Sequence, residues 1–114
     1  MSNEVDELIL KELRKISKLF TLIHGNAIEK ELGKIANTEK RKIMWVLIDG
    51  YRMSKDIAKI VKVTEDAVNK FLREMSRAGF VENPRRKPPK RLIDYVPPSW
   101  IELAEKFVGE ERNE

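Results

Sequence analysis

The chain of 114 residues has no cysteine, which excludes disulfides and thiolate metal sites. Its single histidine, His24, has no second histidine or cysteine with which to share a metal, and it reads as an ordinary residue in the last turn of a helix. Glutamine is absent altogether while lysine and glutamate abound, a composition that suits a hyperthermophile. No apolar run approaches the ~18 residues of a membrane span. The N-terminus opens acidic rather than with the basic stretch of a secretory signal. Both features point to a cytoplasmic chain with no membrane partner. There is no phosphate-cradling glycine loop, no nucleophile–base pair and no metal constellation, so neither enzymatic chemistry nor a cofactor is expected.

What the chain has in excess is charge. Apolar residues make up 41%, an ordinary share, but charged residues reach 37%, against a norm of about 25%. The net charge of +4 is unevenly spread. Residues 1–31 hold five Lys/Arg against six acids, residues 32–100 sixteen against eight, and residues 101–114 two against five. A centre of +8 between mildly acidic ends implies that one surface of the central segment meets a polyanion.

The central stretch, Met53 to Gly79, reads as two short helices joined by a tight turn. Ser54 suits an N-cap, and Ile57, Ala58, Ile60 and Val61 give the first helix one apolar face. Lys62-Val63-Thr64 breaks it, Thr64 can cap the next helix, and Glu65 and Asp66 fall where the helix dipole favours acids. Val68, Leu72 and Met75, with Phe71 beside them, form a buried stripe, and Gly79 stands where a left-handed cap is expected. The free face carries Asn69, Lys70, Arg73, Ser76 and Arg77. A second helix with a polar, basic outer face is the usual means of reading a DNA major groove.

Ahead of this stretch, Val5, Ile9, Leu13, Ile16, Phe20 and Ile23 form a helical stripe that Leu8, Leu19 and Leu22 widen to about half the circumference. That is more apolar surface than one small domain covers, and it predicts a homodimer through residues 1–24, helped by the C-terminal helix. Two recognition helices would then stand about one DNA turn, roughly 34 Å, apart. His24-Gly25 is expected to end the first helix, with a capping box at Asn26–Glu29 starting another. Thr38 would cap a third, with Trp45 in the core or an interface. Met53 is a candidate strand residue.

After Gly79, Phe80–Glu82 and Leu92–Val96 read as two strands. The loop between them puts Arg85, Arg86, Lys87, Lys90 and Arg91 within seven residues, and three prolines stiffen it. Such a hairpin, following the helix pair, fits a phosphate or minor-groove contact. Ser99 and Glu102 suggest a capping box for a last helix that Gly109 would end, leaving an acidic tail. Trp100 could lie under the hairpin or across a dimer interface.

Residues 32–96 resemble a winged helix-turn-helix of the ArsR/MarR type of prokaryotic, here archaeal-like, transcriptional regulators. The resemblance rests on Leu32–Ile43, on Ser54–Ile60 with Val63–Val81, and on Tyr95-Val-Pro-Pro98. It implies a mainly α fold with a small β-hairpin wing and an extra N-terminal helix. Residues 1–25 would be the dimerisation helix, 26–98 the DNA-binding domain, and 99–114 the C-terminal helix and tail. It also implies double-stranded DNA as partner, with helix 65–78 in the major groove and a basic wing at 83–91. By position Thr64, Glu65, Asn69, Lys70 and Arg73 would face the groove, joined by Ser54, Lys55 and Arg77 from the helix pair and the five wing cations. The cysteines with which many ArsR-type proteins sense metals are absent, so no metal response carries over. A protein-interaction module within a larger assembly is the alternative, since this fold is reused in that way.

Overall fold

A computed structural model describes residues 2–112. The chain is mainly α: α1 (Ser2–Gly33), α2 (Glu39–Leu47), α3 (Ser54–Val61), α4 (Glu65–Arg77) and α5 (Pro98–Arg112), with one antiparallel hairpin of β1 (Val81–Glu82) and β2 (Lys90–Arg91). No described helix is long and apolar enough to cross a membrane.

The core lies where α2, α3, α4 and α5 meet. Ile43, Met44, Trp45 and Leu47 of α2 pack with Ile57, Ala58 and Val61 of α3 and with Val68, Phe71, Leu72 and Met75 of α4. Trp100 and Ala104 bring α5 against α2, and Val81 seats the hairpin. Trp45 is thus a core residue, and its indole N–H donates to the Tyr95 carbonyl at 3.0 Å. Trp100 is buried on α2, with the Lys42 ammonium 6.0 Å from its ring centre. Arg41 joins the layers: its guanidinium donates to Glu74 at 2.6 Å and to the Ile35 carbonyl at 3.0 Å, and it lies over the Phe71 ring.

The expected break at His24-Gly25 does not occur, and α1 is one helix of 32 residues, about 48 Å long at 1.5 Å per residue. A glycine in a helix interior costs only about 1 kcal/mol, too little by itself to end a helix. Gly25 is there for close approach: a Cβ at this position would sit 3.1 Å from the Tyr95 hydroxyl. Beyond Gly25, Leu32 is fully buried and Ile28 packs against the core. Before it, the apolar stripe from Val5 to Ile23 is exposed, up to 79% at Leu22.

Caps decide where the other helices begin. Thr38 and Thr64 act as expected, accepting from the N–H groups of Arg41 and Ala67, each at 3.1 Å. Ser54 does not cap α3. Met53 holds that place, Asp56 accepts its N–H at 3.1 Å, and the Ser54 hydroxyl turns to Glu65 at 3.5 Å. Nor does Ser99 cap α5. Pro98 opens that helix, as a residue without an N–H does at no loss, and the N–H groups of Trp100 and Ile101 reach the Pro97 carbonyl. The Ser99 hydroxyl instead meets Glu29 of α1 at 3.3 Å. Gly109 does not stop α5, which runs on to Arg112; residues 113 and 114 of the expected tail lie outside the described residues.

The turn from α3 to α4 passes through Lys62 with φ 62° and ψ 49°, a left-handed conformation. At the far end of α4, Gly79 has φ +83°, and the N–H groups of Phe80 and Gly79 reach back to the carbonyls of Met75 and Ser76. This paired closure satisfies carbonyls that a helix end otherwise leaves open.

The hairpin is tighter than expected. Val81 pairs with Arg91 and Glu82 with Lys90, so the second strand lies at 90–91 rather than 92–96. Beyond the pair only the Leu92 N–H to Phe80 carbonyl bond continues the ladder. The apolar residues Ile93 and Tyr95 line a cleft against α1 instead of extending a strand. Met53 is not in a strand either. The hairpin's third contact is made by Gly50, whose N–H donates to the Pro89 carbonyl at 3.1 Å.

Candidate nucleic-acid interface

Three segments distant in sequence converge on one open cleft of about 680 Å³: the start of α3, the outer face of α4, and the loop between the strands. Its lining includes Ser54 from α3, Asn69 and Arg73 from α4, and Arg85, Arg86 and Lys87 from the loop. Amphipathic α4 dictates this. With Val68, Phe71, Leu72 and Met75 turned to the core, Asn69 and Arg73, one turn apart, must face outward. The closure at Gly79 then folds the chain back so that the hairpin loop rises beside that face.

Arg73, Arg85, Arg86 and Lys87 bring four positive charges to the cleft, and no acid lines it. Among the described residues, none of the four makes an ion pair. The loop tip is a turn in which the Lys87 N–H reaches the Pro84 carbonyl at 3.4 Å, and Arg86 within it has φ 63°. An L-residue other than Gly, Asn or Asp in that region costs of order 1–3 kcal/mol. An arginine therefore stands where a glycine would be more comfortable.

The other expected contacts separate into two groups. Lys55, Lys70 and Arg77 are exposed on the same two helices but outside the cleft. Thr64 and Glu65 sit at the start of α4, the hydroxyl of the first engaged as a cap and the carboxylate of the second meeting Ser54. Lys90 points outward opposite Glu82. Arg91, one residue on, points the other way. In a strand pair, residues directly opposite share a face, and Arg91 opposes buried Val81. Its guanidinium donates to the carbonyls of Trp45 and Val46 at 3.1 and 3.2 Å, lies over the Trp45 ring and leaves the side chain 16% exposed. Those carbonyls belong to the last turn of α2, where a cation complements the helix dipole. Arg91 is thus a structural cap and takes no part in the cleft.

No family model, curated protein or solved structure matches the chain.

Met53, which the sequence did not single out for the site, also lines it, as do Asn83, Pro84 and Pro89 of the loop expected at 83–91. Behind the loop lies a turn built on Asp49. Its carboxylate accepts from the N–H groups of Tyr51 and Arg52, each at 2.9 Å, and from the Arg52 guanidinium at 2.7 Å. Burial opposes ionisation of Asp49, but these donors outweigh it and hold the carboxyl below its usual range. Gly50, φ +86°, follows within the turn and bonds to Pro89, so this turn props the base of the loop. Tyr51 projects from it, 86% exposed.

Proposed function

We propose that the chain is a DNA-binding transcriptional regulator of the winged helix-turn-helix type, with α4 entering the major groove and the basic loop at 83–91 acting as the wing. The observation that carries this reading is the convergence of Asn69 and Arg73 with Arg85, Arg86 and Lys87 on one cleft free of lining acids. An amide and a guanidinium one helical turn apart suit base edges, while the loop cations suit the phosphates that position a protein on the duplex. The exposed stripe of α1 is part of the same reading. Ten large apolar residues from Val5 to Ile23 stand 48–79% exposed, a patch that soluble monomers rarely tolerate. At about 1.5–3 kcal/mol for each such side chain fully buried, covering half of them is enough to drive pairing of two chains.

A salt-titrated shift assay tests the reading. Replacing Arg85, Arg86 and Lys87 by alanine should weaken binding to all sequences alike and flatten the salt slope by about 0.9 for each lost phosphate contact. Asn69→Ala should instead relax base preference, an amide bidentate on adenine contributing about 1–3 kcal/mol of discrimination. Absence of salt-sensitive binding to duplex DNA would reject the reading.

A further inference from the structure

We infer that two copies pair through α1 in antiparallel fashion, which sets the two DNA-reading surfaces at opposite ends of the dimer. The inference rests on the proposed dimeric regulator and adds its geometry. Its basis is the segregation of charge along the exposed part of the helix. Residues 2–12 carry Glu4, Asp6, Glu7 and Glu12 against Lys11 alone, while residues 13–23 carry Arg14, Lys15 and Lys18 and no acid. One half is therefore −3 and the next +3. Side-by-side parallel helices would set acid against acid and base against base along the whole contact. Antiparallel helices paired about residue 14 take Glu4, Asp6 and Glu7 away from their own copies and set them opposite residues 21–24 of the partner, which carry no acid. Only Arg14 meets its own copy at the midpoint, so the interface selects this arrangement chiefly by like-charge exclusion.

The apolar stripe agrees. It runs from Val5 to Ile23 on the exposed face, so its midpoint is residue 14. Pairing about that point sets Val5 of one chain opposite Ile23 of the other. It also brings Glu12 near Lys15 of the second copy, the same two residue types that already meet at 3.2 Å within each helix. The globular part begins where Ile28 and Leu32 enter the core, 14 and 18 residues past the midpoint. At 1.5 Å per residue these attachment points lie about 42–54 Å apart across the dimer. That exceeds one DNA turn of about 34 Å, so the half-sites of this dimer stand further apart than the one-turn spacing expected from sequence.

Because the chain has no cysteine, single-cysteine variants of the full-length protein read the arrangement directly. Val5→Cys and Ile23→Cys alter exposed positions outside the core. A disulfide needs Cα atoms within about 7 Å. Under mild oxidation, mixing the two variants should give a disulfide-linked dimer on a non-reducing gel, while each variant alone should stay unlinked. Self-linking of V5C at the level of the mixture means parallel helices and overturns the inference. So does the absence of linking in every sample together with a monomeric sedimentation profile at micromolar concentration. The shift assay is a separate measurement: linking without DNA binding would reject the regulator and leave the pairing standing, and DNA binding without linking would do the converse.

Discussion

Arg91 and Arg85 belong to one run of basic residues, yet the structure assigns them different work, and substituting each in turn separates stability from binding. Arg91 donates two hydrogen bonds to the carbonyls that end α2 and covers the Trp45 ring. Hydrogen bonds from a charged group contribute about 1.5–3 kcal/mol each and are not additive, and a cation at a helix C-terminus adds roughly 0.3–1. Its contact with Asp94, at 3.6 Å with that carboxylate 94% exposed, adds little. Arg91→Ala should therefore cost about 2–4 kcal/mol, a large part of the 5–15 typical of a whole domain. For a chain of this size that corresponds to a fall in Tm of about 8–16 °C. Arg91→Met keeps the apolar stem on the indole and isolates the hydrogen-bond share. Arg85→Ala, fully on the surface, should stay within about 0.5 kcal/mol of the parent while weakening DNA binding. Calorimetry and a shift assay run on the same samples, below the Tm of each, give both readouts. The reasoning fails if Arg91→Ala leaves Tm unchanged and weakens DNA binding as Arg85→Ala does.

At the loop tip, Arg86→Gly should raise stability by a fraction of the about 1–3 kcal/mol that a left-handed arginine costs, and it should lower DNA affinity; unfolding and shift assays that move in the same direction would contradict this. The Asp49 turn makes stability depend on pH: its depressed carboxyl contributes fully above the unfolded value of about 3.9 and loses that contribution as pH falls through the folded value. Asp49→Asn should remove this acid limb, seen in urea melts between pH 6 and 2.5. Gly25→Ala should fall short of the helix-propensity gain of about 1 kcal/mol in the parent, because of the Tyr95 hydroxyl 3.1 Å away, and approach it in a Tyr95→Phe background; equal gains in both backgrounds would remove the close-approach explanation for this glycine.

The central helix pair was legible because its signals are local and mutually consistent. Thr64, the stripe Val68-Phe71-Leu72-Met75 and Gly79 each act within one turn of their own position, and each does in the structure what its type predicts. Ser54 and Ser99 were misleading for the opposite reason. A competing group set the helix start earlier, by one residue at the Asp56 carboxylate and by two at the Pro98 ring. Gly25 looked like a terminator because composition cannot show what packs on a helix, and there a tyrosine 70 residues away decides the matter; at Gly109 a Cβ would meet nothing within 4 Å, so no contact accounts for that glycine. The loop cations were visible as a group, but not their division. Whether Lys90 or Arg91 faces the core follows from register with Val81, and two short strands with prolines between them leave register unspecified by pattern alone.

That division bears on how the cleft could hold a ligand. A loop with five cations and three prolines would, if free, repel itself and sample many shapes, and ordering it on binding would cost about 0.5–1.5 kcal/mol for each immobilised long side chain. Here the loop is tied at its base from three sides: by Arg91 to the end of α2, by the Pro89 carbonyl to Gly50, and by the Val81–Arg91 pair. The cation spent on the core therefore positions the three that reach the cleft. On the proposed DNA-binding reading, Arg91 acts on affinity only through loop order, and the loss on Arg91→Met should shrink as salt is raised, because the phosphate contacts proposed for the loop would weaken with it.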